Sequence, residues 1–201
     1  MPGLQSQWGH CMCAVDVETT GTLPGWHEII QIAVLPLNQH LEPDPEKRFF
    51  YMNIYPDHPE RINAGATRKH GITLESLEGC PSQEQAIELF HDWFRKLNLP
   101  HKKRLIPLAH NWAFERSMLI PWLGMEGFNE LWQSTARDTM TLASSIDDLY
   151  SWHGRKPPFG FVNLGDLCKK FDITLDNAHD ALADCIATAK LYASIMRFLH
   201  G

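Results

Sequence analysis

The sequence predicts an α/β or α+β domain built on a mixed sheet. Two observations predict it: apolar, β-rich segments come first in the chain, and strand–helix alternation follows. The 201 residues are enough for one domain with a full hydrophobic core, and 44% hydrophobic and 21% charged content is typical of globular proteins. We find no repeat, low-complexity segment or domain linker. We therefore expect a single domain over residues 11–201, after a flexible tail over residues 1–10.

The first part of the chain predicts three strands. An apolar run begins at Cys11 and ends in the turn signal of residues 19–21. A second strand is predicted within residues 26–37, and the aromatic segment 48–55 predicts a third. The polar connection 38–46 is typical of a hairpin. The chain therefore begins as an antiparallel meander.

Helices dominate the rest of the sequence. Ser82 is expected to cap the second helix, with Gln85 in the capping-box position. The long proline- and glycine-bearing segment 150–160 is predicted to be a loop. A strand is predicted at residues 105–109, and helices at residues 64–71, 82–97, 114–123, 128–134, 140–146, 164–171 and 178–199. In the last helix, an apolar stripe is predicted to be buried; it comprises Leu182, Ile186, Ala189, Ala193 and Met196.

Charge and cysteine content restrict the classes of function. The net charge of −6 is opposite to that of proteins that coat duplex DNA, so nucleic-acid contacts should be local and assisted by metal ions. The basic run 101–104 is either a solvated turn or a phosphate-steering patch. The five cysteines form no paired C-x-x-C set, and the first residues do not form a secretory signal. We therefore expect reduced thiols, a cytoplasmic location and, without a long apolar run, no membrane span.

Asp16 and Glu18 are the first candidate functional residues. Alternate residues of a strand point to the same face, so both carboxylates should project side by side from the carboxyl end of the first strand. A divalent cation such as Mg²⁺ or Mn²⁺ would relieve their repulsion. The alternative is that the two residues only cap the following turn.

Two segments far from Asp16 and Glu18 in the sequence also carry carboxylate groups, together with imidazole groups. One reads His110-Asn111-Trp112-Ala113-Phe114-Glu115, and the other reads His179-Asp180-Ala181-Leu182-Ala183-Asp184. Together with Asp16 and Glu18, these segments resemble the histidine-containing branch of the DEDD superfamily of 3′→5′ exonucleases, which includes the proofreading subunit of bacterial DNA polymerase III and RNase T. The resemblance covers roughly residues 13–191. It extends to segments 28–33, 69–73 and 163–168.

The resemblance implies a fold and a reaction. The fold is ribonuclease-H-like, with a five-stranded mixed sheet that has three antiparallel strands first and helices on its flanks. The reaction is hydrolysis of the terminal phosphodiester at a free 3′ end with two divalent cations, Mg²⁺ or Mn²⁺, releasing nucleoside 5′-monophosphates. The implied metal ligands are Asp16, Glu18 and Asp184. His179 would take the proton from the attacking water, and Asp180 would favour the helix N-terminus electrostatically.

Glu115 departs from the family pattern, in which this position is usually aspartate. Glutamate keeps the charge but adds a methylene. Three interpretations are open: Glu115 binds metal with altered spacing, it leaves a weakened second metal site that prefers Mn²⁺, or Asp138 takes over the role. For Asp138, the simpler interpretation is a helix cap.

The resemblance also implies substrate contacts. The backbone and side chains of Thr19, Thr20 and Gly21 would lie against the terminal nucleotide. Asn111 and the ring of Trp112 or Phe114 would lie near the penultimate one, since stacking on bases tolerates any sequence; for Phe114 a core position is favoured. Residues 26–27 (Trp-His) would either wedge under the end base pair or close the loop.

The sequence is compatible with more than one substrate, function and assembly state. Single-stranded DNA is the favoured substrate, with RNA as the alternative. A non-catalytic nucleic-acid-binding or scaffold domain, and a hydrolase of very short oligonucleotides, are the competing functions. A monomer, a homodimer and a polymerase-associated subunit all fit the sequence.

Overall fold

A five-stranded mixed sheet forms the centre of the computed structural model, which describes Leu4 and residues 9–200. The strands are β1 (Cys11–Thr19), β2 (Ile29–Pro36), β3 (Phe50–Asn53), β4 (Leu105–Ala109) and β5 (Arg137–Asp138). Their order across the sheet is β3-β2-β1-β4-β5. The first three strands pair antiparallel, whereas β4 pairs parallel with β1 and with β5. The α/β fold with an antiparallel start is therefore confirmed.

Six helices flank the sheet in the described part of the chain. They are α1 (Ala64–His70), α2 (Gln83–Lys96), α3 (Trp112–Leu131), α4 (Thr139–Trp152), α5 (Leu164–Lys170) and α6 (Ala181–His200). Short 3₁₀ turns cover Pro59–Arg61 and Glu75–Leu77. The predicted cap is confirmed, because the Ser82 side chain accepts from the Gln85 amide and the Gln85 side chain accepts from the Ser82 amide.

Helix α3 begins two residues earlier than predicted. The Trp112 amide donates to Asp138 Oδ2 at 2.7 Å, which satisfies an amide of the first turn that has no partner within the helix. The predicted break between two helical segments does occur, at Gly124, whose φ of 71° and ψ of 156° are not helical. This conformation suits glycine because it has no Cβ.

The buried face of α6 agrees with the predicted stripe only in part: Ala189 is buried, and partly buried members of the stripe pack against the same core, namely Leu182, Ile186 and Ala193. Ala181, Cys185 and Ala189 pack against the sheet, whereas Met196 on the predicted stripe is 38% exposed. The helix also begins at Ala181 rather than residue 178, because His179 has a φ of 70° that no α-helix accommodates. Small residues face the sheet because they allow close approach, a preference that a hydrophobic stripe does not reveal.

The two faces of β1 pack into different cores. Cys11, Cys13, Val15 and Val17 belong to the core beneath α2 and α3, and alternate residues such as Ala14 contact α6. By the same alternation, Asp16 and Glu18 continue the α6 side at the carboxyl end of the strand. The sheet therefore aims both carboxylates toward the start of α6.

The predicted tail over residues 1–10 lies mostly outside the described residues. Leu4, which is described, donates its amide to the Gln39 carbonyl at 2.8 Å, and His10 Nδ1 accepts from the Arg104 amide at 3.0 Å. All five cysteines are free thiols. In the described part of the chain, every helix is too short or too polar to cross a bilayer.

Candidate active site

A cleft of about 850 Å³ opens at the carboxyl end of β1. Different elements deliver the predicted chemical groups to it: β1, the first turn of α3, the turn before α6 and the first turn of α6. The predicted acids and imidazole that line it are Asp16, Glu18, Glu115, His179 and Asp184. The structure therefore brings together all five side chains that the sequence selected for metal binding and catalysis.

Three of these side chains form a set that could hold a metal ion. One ligand atom each from Glu18, His179 and Asp184 lies within 4.8 Å of the others. Glu18 precedes a shift in the pairing register of β1 with β2, an irregularity of the kind that re-aims side chains next to active sites. Glu18 is separated from His179 and Asp184 by most of the chain.

Burial raises the pKa of every acid in the cluster. It raises the pKa of Asp16 well above its usual range, and the charges of Glu115, Glu18 and Asp184 add to the shift. The pKa of Glu18 and that of Glu115 are each raised to about 8, and that of Asp184 to about 6, in each case chiefly by burial. The site thus concentrates carboxylates whose charge is poorly compensated by the protein alone.

Two oxygen atoms lack partners at the same place. Over the described residues, Glu115 Oε2 and Asp184 Oδ1 are buried and accept no hydrogen bond. Buried polar atoms are nearly always paired, so these oxygens have room for a ligand from outside the chain. Carboxylate oxygens suit Mg²⁺ and Mn²⁺, and the donor set therefore fits a divalent cation.

Lys69 is a cleft residue to which the sequence analysis assigned no role. It lines the cleft from α1, and its positive charge lowers the pKa of Asp16, Glu18, Glu115 and Asp184 against the larger effect of burial. The only signal for it was its place in segment 69–73, which matched the family pattern.

His179 is held neutral by its surroundings. Burial, followed by the Lys69 charge, lowers its pKa below the usual histidine value. A neutral imidazole near pH 7 can accept a proton. One of its ring nitrogens lies within 4.8 Å of carboxylate oxygens of Glu18 and Asp184.

The predicted substrate contacts divide into two groups. Thr19, Gly21 and Asn111 line the cleft. Thr20 does not contact it: its side chain is fully buried, and its hydroxyl accepts from the Glu28 amide at 2.9 Å. The Thr20 side chain therefore shapes the turn after β1, and a substrate contact through its backbone stays a prediction.

Trp112, a predicted aromatic contact, has its ring in the core. Its side chain is only 8% exposed and packs against Phe128 and Trp132 in the core, with ring centroids 6.2 and 5.7 Å away. Phe114, for which a core position was favoured, packs against the core and also lines the cleft, as does His110. Neighbouring aromatic residues point in different directions on a helix, and the sequence alone does not say which one faces the cleft.

Hydrogen bonds bear on two further alternatives, whereas the wedge predicted for Trp26 stays a prediction. His27 closes the loop after β1: its Nδ1 accepts from the Leu23 amide at 3.0 Å, and a Cβ at Gly21 would lie 2.4 Å from its ring nitrogen Nε2. Asp138 caps α4 by accepting from the Thr141 amide at 2.8 Å, while its other oxygen accepts from Trp112. Asp138 is thus committed to backbone amides.

Comparison with known proteins gives relatives over most of the chain. The chain is 30% identical over 176 residues to PolC-type DNA polymerase III of Halalkalibacterium halodurans, and 28% identical over 182 residues to that of Streptococcus pyogenes. These matches cover 88% and 90% of the chain, respectively. The chain spans only 11% of the length of either relative.

Solved structures show the shared fold. A zinc-bound complex of Escherichia coli exonuclease I with single-stranded DNA matches with a TM-score of 0.74 at 19% identity, covering 94% of this chain and 41% of that one. A 3′-exonuclease that recognises the histone mRNA stem-loop matches with a TM-score of 0.69 at 17% identity, covering 97% and 66%. The ribonuclease-H-like expectation for the fold is thereby confirmed.

The decisive comparison is with a whole family. The profile of the exonuclease family RNase T matches residues 13–192, which include every acidic residue of the cleft and His179. This match bears out the resemblance drawn from the three motifs. The chain belongs to the RNase T family of exonucleases.

Proposed function

We propose that this chain is a metal-dependent 3′→5′ exonuclease that hydrolyses the terminal phosphodiester of single-stranded nucleic acid and releases nucleoside 5′-monophosphates. The convergence of Glu18, His179 and Asp184 within 4.8 Å, in a cleft that also contains Asp16 and Glu115, is the observation that carries the proposal. Such a set offers both carboxylate ligands and a proton acceptor, the two requirements of metal-assisted phosphodiester hydrolysis.

The proposed cofactors are two divalent cations, Mg²⁺ or Mn²⁺. Asp16, Glu18, Asp184 and Glu115 would hold them, and the unpartnered oxygens of Glu115 and Asp184 support this assignment. Bound cations would neutralise the phosphate and stabilise the departing 3′ oxygen. Glu115 is kept as a ligand because it is buried in the cleft, whereas both oxygens of Asp138 are occupied by backbone amides.

Other side chains of the cleft would accept the proton and bind the substrate. His179, whose pKa is lowered, would take the proton of the attacking water. Lys69 would attract the phosphate backbone of the substrate into an otherwise acidic cleft. Thr19, Gly21 and Asn111 would contact the terminal nucleotides, and the ring of Phe114 would stack on a base.

DNA is the favoured substrate of the proposal. The relatives reported above are DNA polymerases, and one structural neighbour is an exonuclease bound to single-stranded DNA. Another neighbour recognises a histone mRNA stem-loop, so RNA is the alternative to be tested. The polymerase relatives also make association with a polymerase the first partner hypothesis.

The function is tested with matched DNA and RNA oligonucleotides. Each single strand is labelled at its 5′ end and incubated with Mg²⁺ or Mn²⁺, and the products are resolved over time. A ladder that shortens from the 3′ end, with mononucleotide release, is the expected result. Tight binding without any release under either metal would instead favour the non-catalytic interpretation, and activity confined to dinucleotides would favour a short-oligonucleotide hydrolase.

Metal binding should depend steeply on pH. The folded pKa of Glu18 and of Glu115 is about 8, above the usual carboxyl range, so the metal-free folded state binds more protons than the unfolded state. The free energy of unfolding without metal should therefore fall as pH rises from the usual glutamate pKa toward about 8. Mn²⁺ should restore it most at the high end, where protons no longer compete.

Thermal unfolding measures this linkage. With a chelator present, the Tm should fall by at least roughly 5 °C between about pH 6 and about pH 8.5, and Mn²⁺ should reverse most of that loss. Glu18→Gln is the matched control, because the neutral amide removes one of the two titrating groups and should flatten the dependence. A Tm that is independent of pH and of Mn²⁺ would contradict the proposed ligand set.

A further inference from the structure

A polar network joins the edge strand β3 and its neighbour β2 to the segment that carries His179. The Tyr51 hydroxyl, on β3, donates to Asp180 Oδ2 at 2.5 Å. Gln31, on β2, donates from Nε2 to the Tyr51 hydroxyl at 3.1 Å, and its Oε1 accepts from the Ala181 amide at 2.8 Å. Both residues that immediately follow His179 are therefore bonded to side chains of the sheet.

The donors and acceptors of this network are fixed by their chemistry. Because the Ala181 amide can only donate, Gln31 Oε1 must face it, and Gln31 Nε2 is left to donate to Tyr51 and, at 2.8 Å, to Asn53 Oδ1. Burial and the bond to Asp180 raise the pKa of Tyr51 to about 12, so its hydroxyl keeps its proton. Each group has a partner suited to it.

Asp180 links this network to helix α6. Its Oδ1 accepts from the Ala183 amide at 3.0 Å, as expected for a residue that caps the helix, while Oδ2 accepts from Tyr51. One carboxylate thus fixes the start of α6 to β3. The Asp184 amide, in turn, donates to the Asp180 carbonyl at 2.9 Å.

The backbone at His179 needs such support. Its φ of 70° is in the left-handed region, which is unfavourable for a residue with a Cβ and persists only where the surroundings impose it. His179 shares a peptide bond with Asp180, so a movement of Asp180 displaces His179 directly. Gln31 lies opposite Glu18 in the register of β1 and β2, and the same network therefore adjoins the strand position of Glu18.

We propose that Tyr51 and Gln31 are positioning residues that hold His179 in line with Glu18 and Asp184 by anchoring Asp180 and Ala181 to the sheet. The proposal rests on the proposed function for the role of His179. Over the described residues, neither Tyr51 nor Gln31 lines the cleft, so their effect on the reaction must pass through the segment they hold. Loss of the network should lower turnover and leave substrate binding nearly unchanged.

Tyr51→Phe removes the hydroxyl and keeps the ring. Tyr51 is 39% exposed, so the domain should fold with an unchanged Tm. The turnover number should fall roughly ten-fold, since a small misplacement of a catalytic group has effects of this order or larger. The KM for a labelled single strand and the Mn²⁺ concentration for half-maximal rate should stay within about two-fold of wild type. Tyr55→Phe, the same chemical change outside the network, should match wild type throughout.

A second measurement does not depend on activity. Amide hydrogen exchange of the peptide covering residues 175–183, without metal or substrate, should be faster in Tyr51→Phe than in wild type and in Tyr55→Phe. Asp180→Asn, which keeps an acceptor for the Tyr51 hydroxyl, should retain most of the turnover, whereas Asp180→Ala should lose it. Exchange in the wild-type protein that equals that of Tyr51→Phe would overturn the proposal.

The kinetic measurements also test whether the network positions His179. Equal turnover in wild type and Tyr51→Phe, or a loss that tracks a lower Tm, would show that the network does not position His179. Should the wild-type protein release no nucleotides, the proposed function fails, while the exchange comparison still decides whether the network holds this segment.

Discussion

Asp16→Asn should abolish nucleotide release while leaving the protein folded. Asp16 lies at the centre of the acidic cluster, where Glu115, Glu18 and Asp184 all raise its pKa in addition to burial. The amide keeps the side-chain volume and one oxygen but loses the charge needed to hold cations. If ligation by Asp16 contributes several kcal/mol to the transition state, the rate should fall by at least roughly 10³-fold.

The stability of this variant should move in the opposite direction. Removing one charge from a buried set of repelling carboxylates should raise the Tm of the metal-free protein near pH 8, and it should weaken the stabilisation by Mn²⁺. Nuclease assays and thermal unfolding of the same preparation measure both effects. Asp57→Asn, an exposed position outside the cleft, is the matched control and should resemble wild type in both. Wild-type activity in Asp16→Asn would refute its assignment as a ligand.

His179→Ala should lower the turnover number by roughly 10²- to 10⁴-fold, the range expected for loss of a general base. Metal affinity should be largely retained, because the four carboxylates of the cleft stay in place. In the wild-type enzyme, the rate should rise with pH through a pKa below the usual histidine value, as burial and Lys69 lower the pKa of His179. This acidic limb should disappear in the variant.

Calorimetric titration with Mn²⁺ distinguishes whether His179 is a general base or a metal ligand. The ligand atom of His179 is within 4.8 Å of those of Glu18 and Asp184, so direct ligation is the competing role. Parallel losses of metal affinity and turnover in His179→Ala would support ligation and contradict the proposed base. His153→Ala, in the exposed loop after α4, should change neither quantity.

The sequence predicts the sheet and the acidic cluster well because both depend on local patterns. The apolar runs and their terminal turns determine β1, β2 and β4, and the capping box at Ser82 determines where α2 begins. Asp16 and Glu18 share a face because strand alternation requires it. Their meeting with Asp184 needed the family resemblance, since nothing local relates positions so far apart.

Other features depend on contacts between distant segments. Whether Trp112 or Phe114 faces the cleft is decided by the packing of Trp112 against Phe128 and Trp132. The role of Lys69 depends on how α1 lies beside the acids. The start of α6 is set by the left-handed backbone at His179, and the histidine side chain does not predict that conformation.

The wide separation of Glu18 and Asp184 along the chain bears on how the protein is made. Glu18 is on β1 and Asp184 on α6, so a chain still emerging from the ribosome lacks Asp184 until β1 to β5 and α1 to α5 have all been made. A product that stops before α6 therefore carries only part of the acidic cluster. Under the proposed function, a product that stops before α6 would hold its cations incompletely and should not hydrolyse nucleic acid.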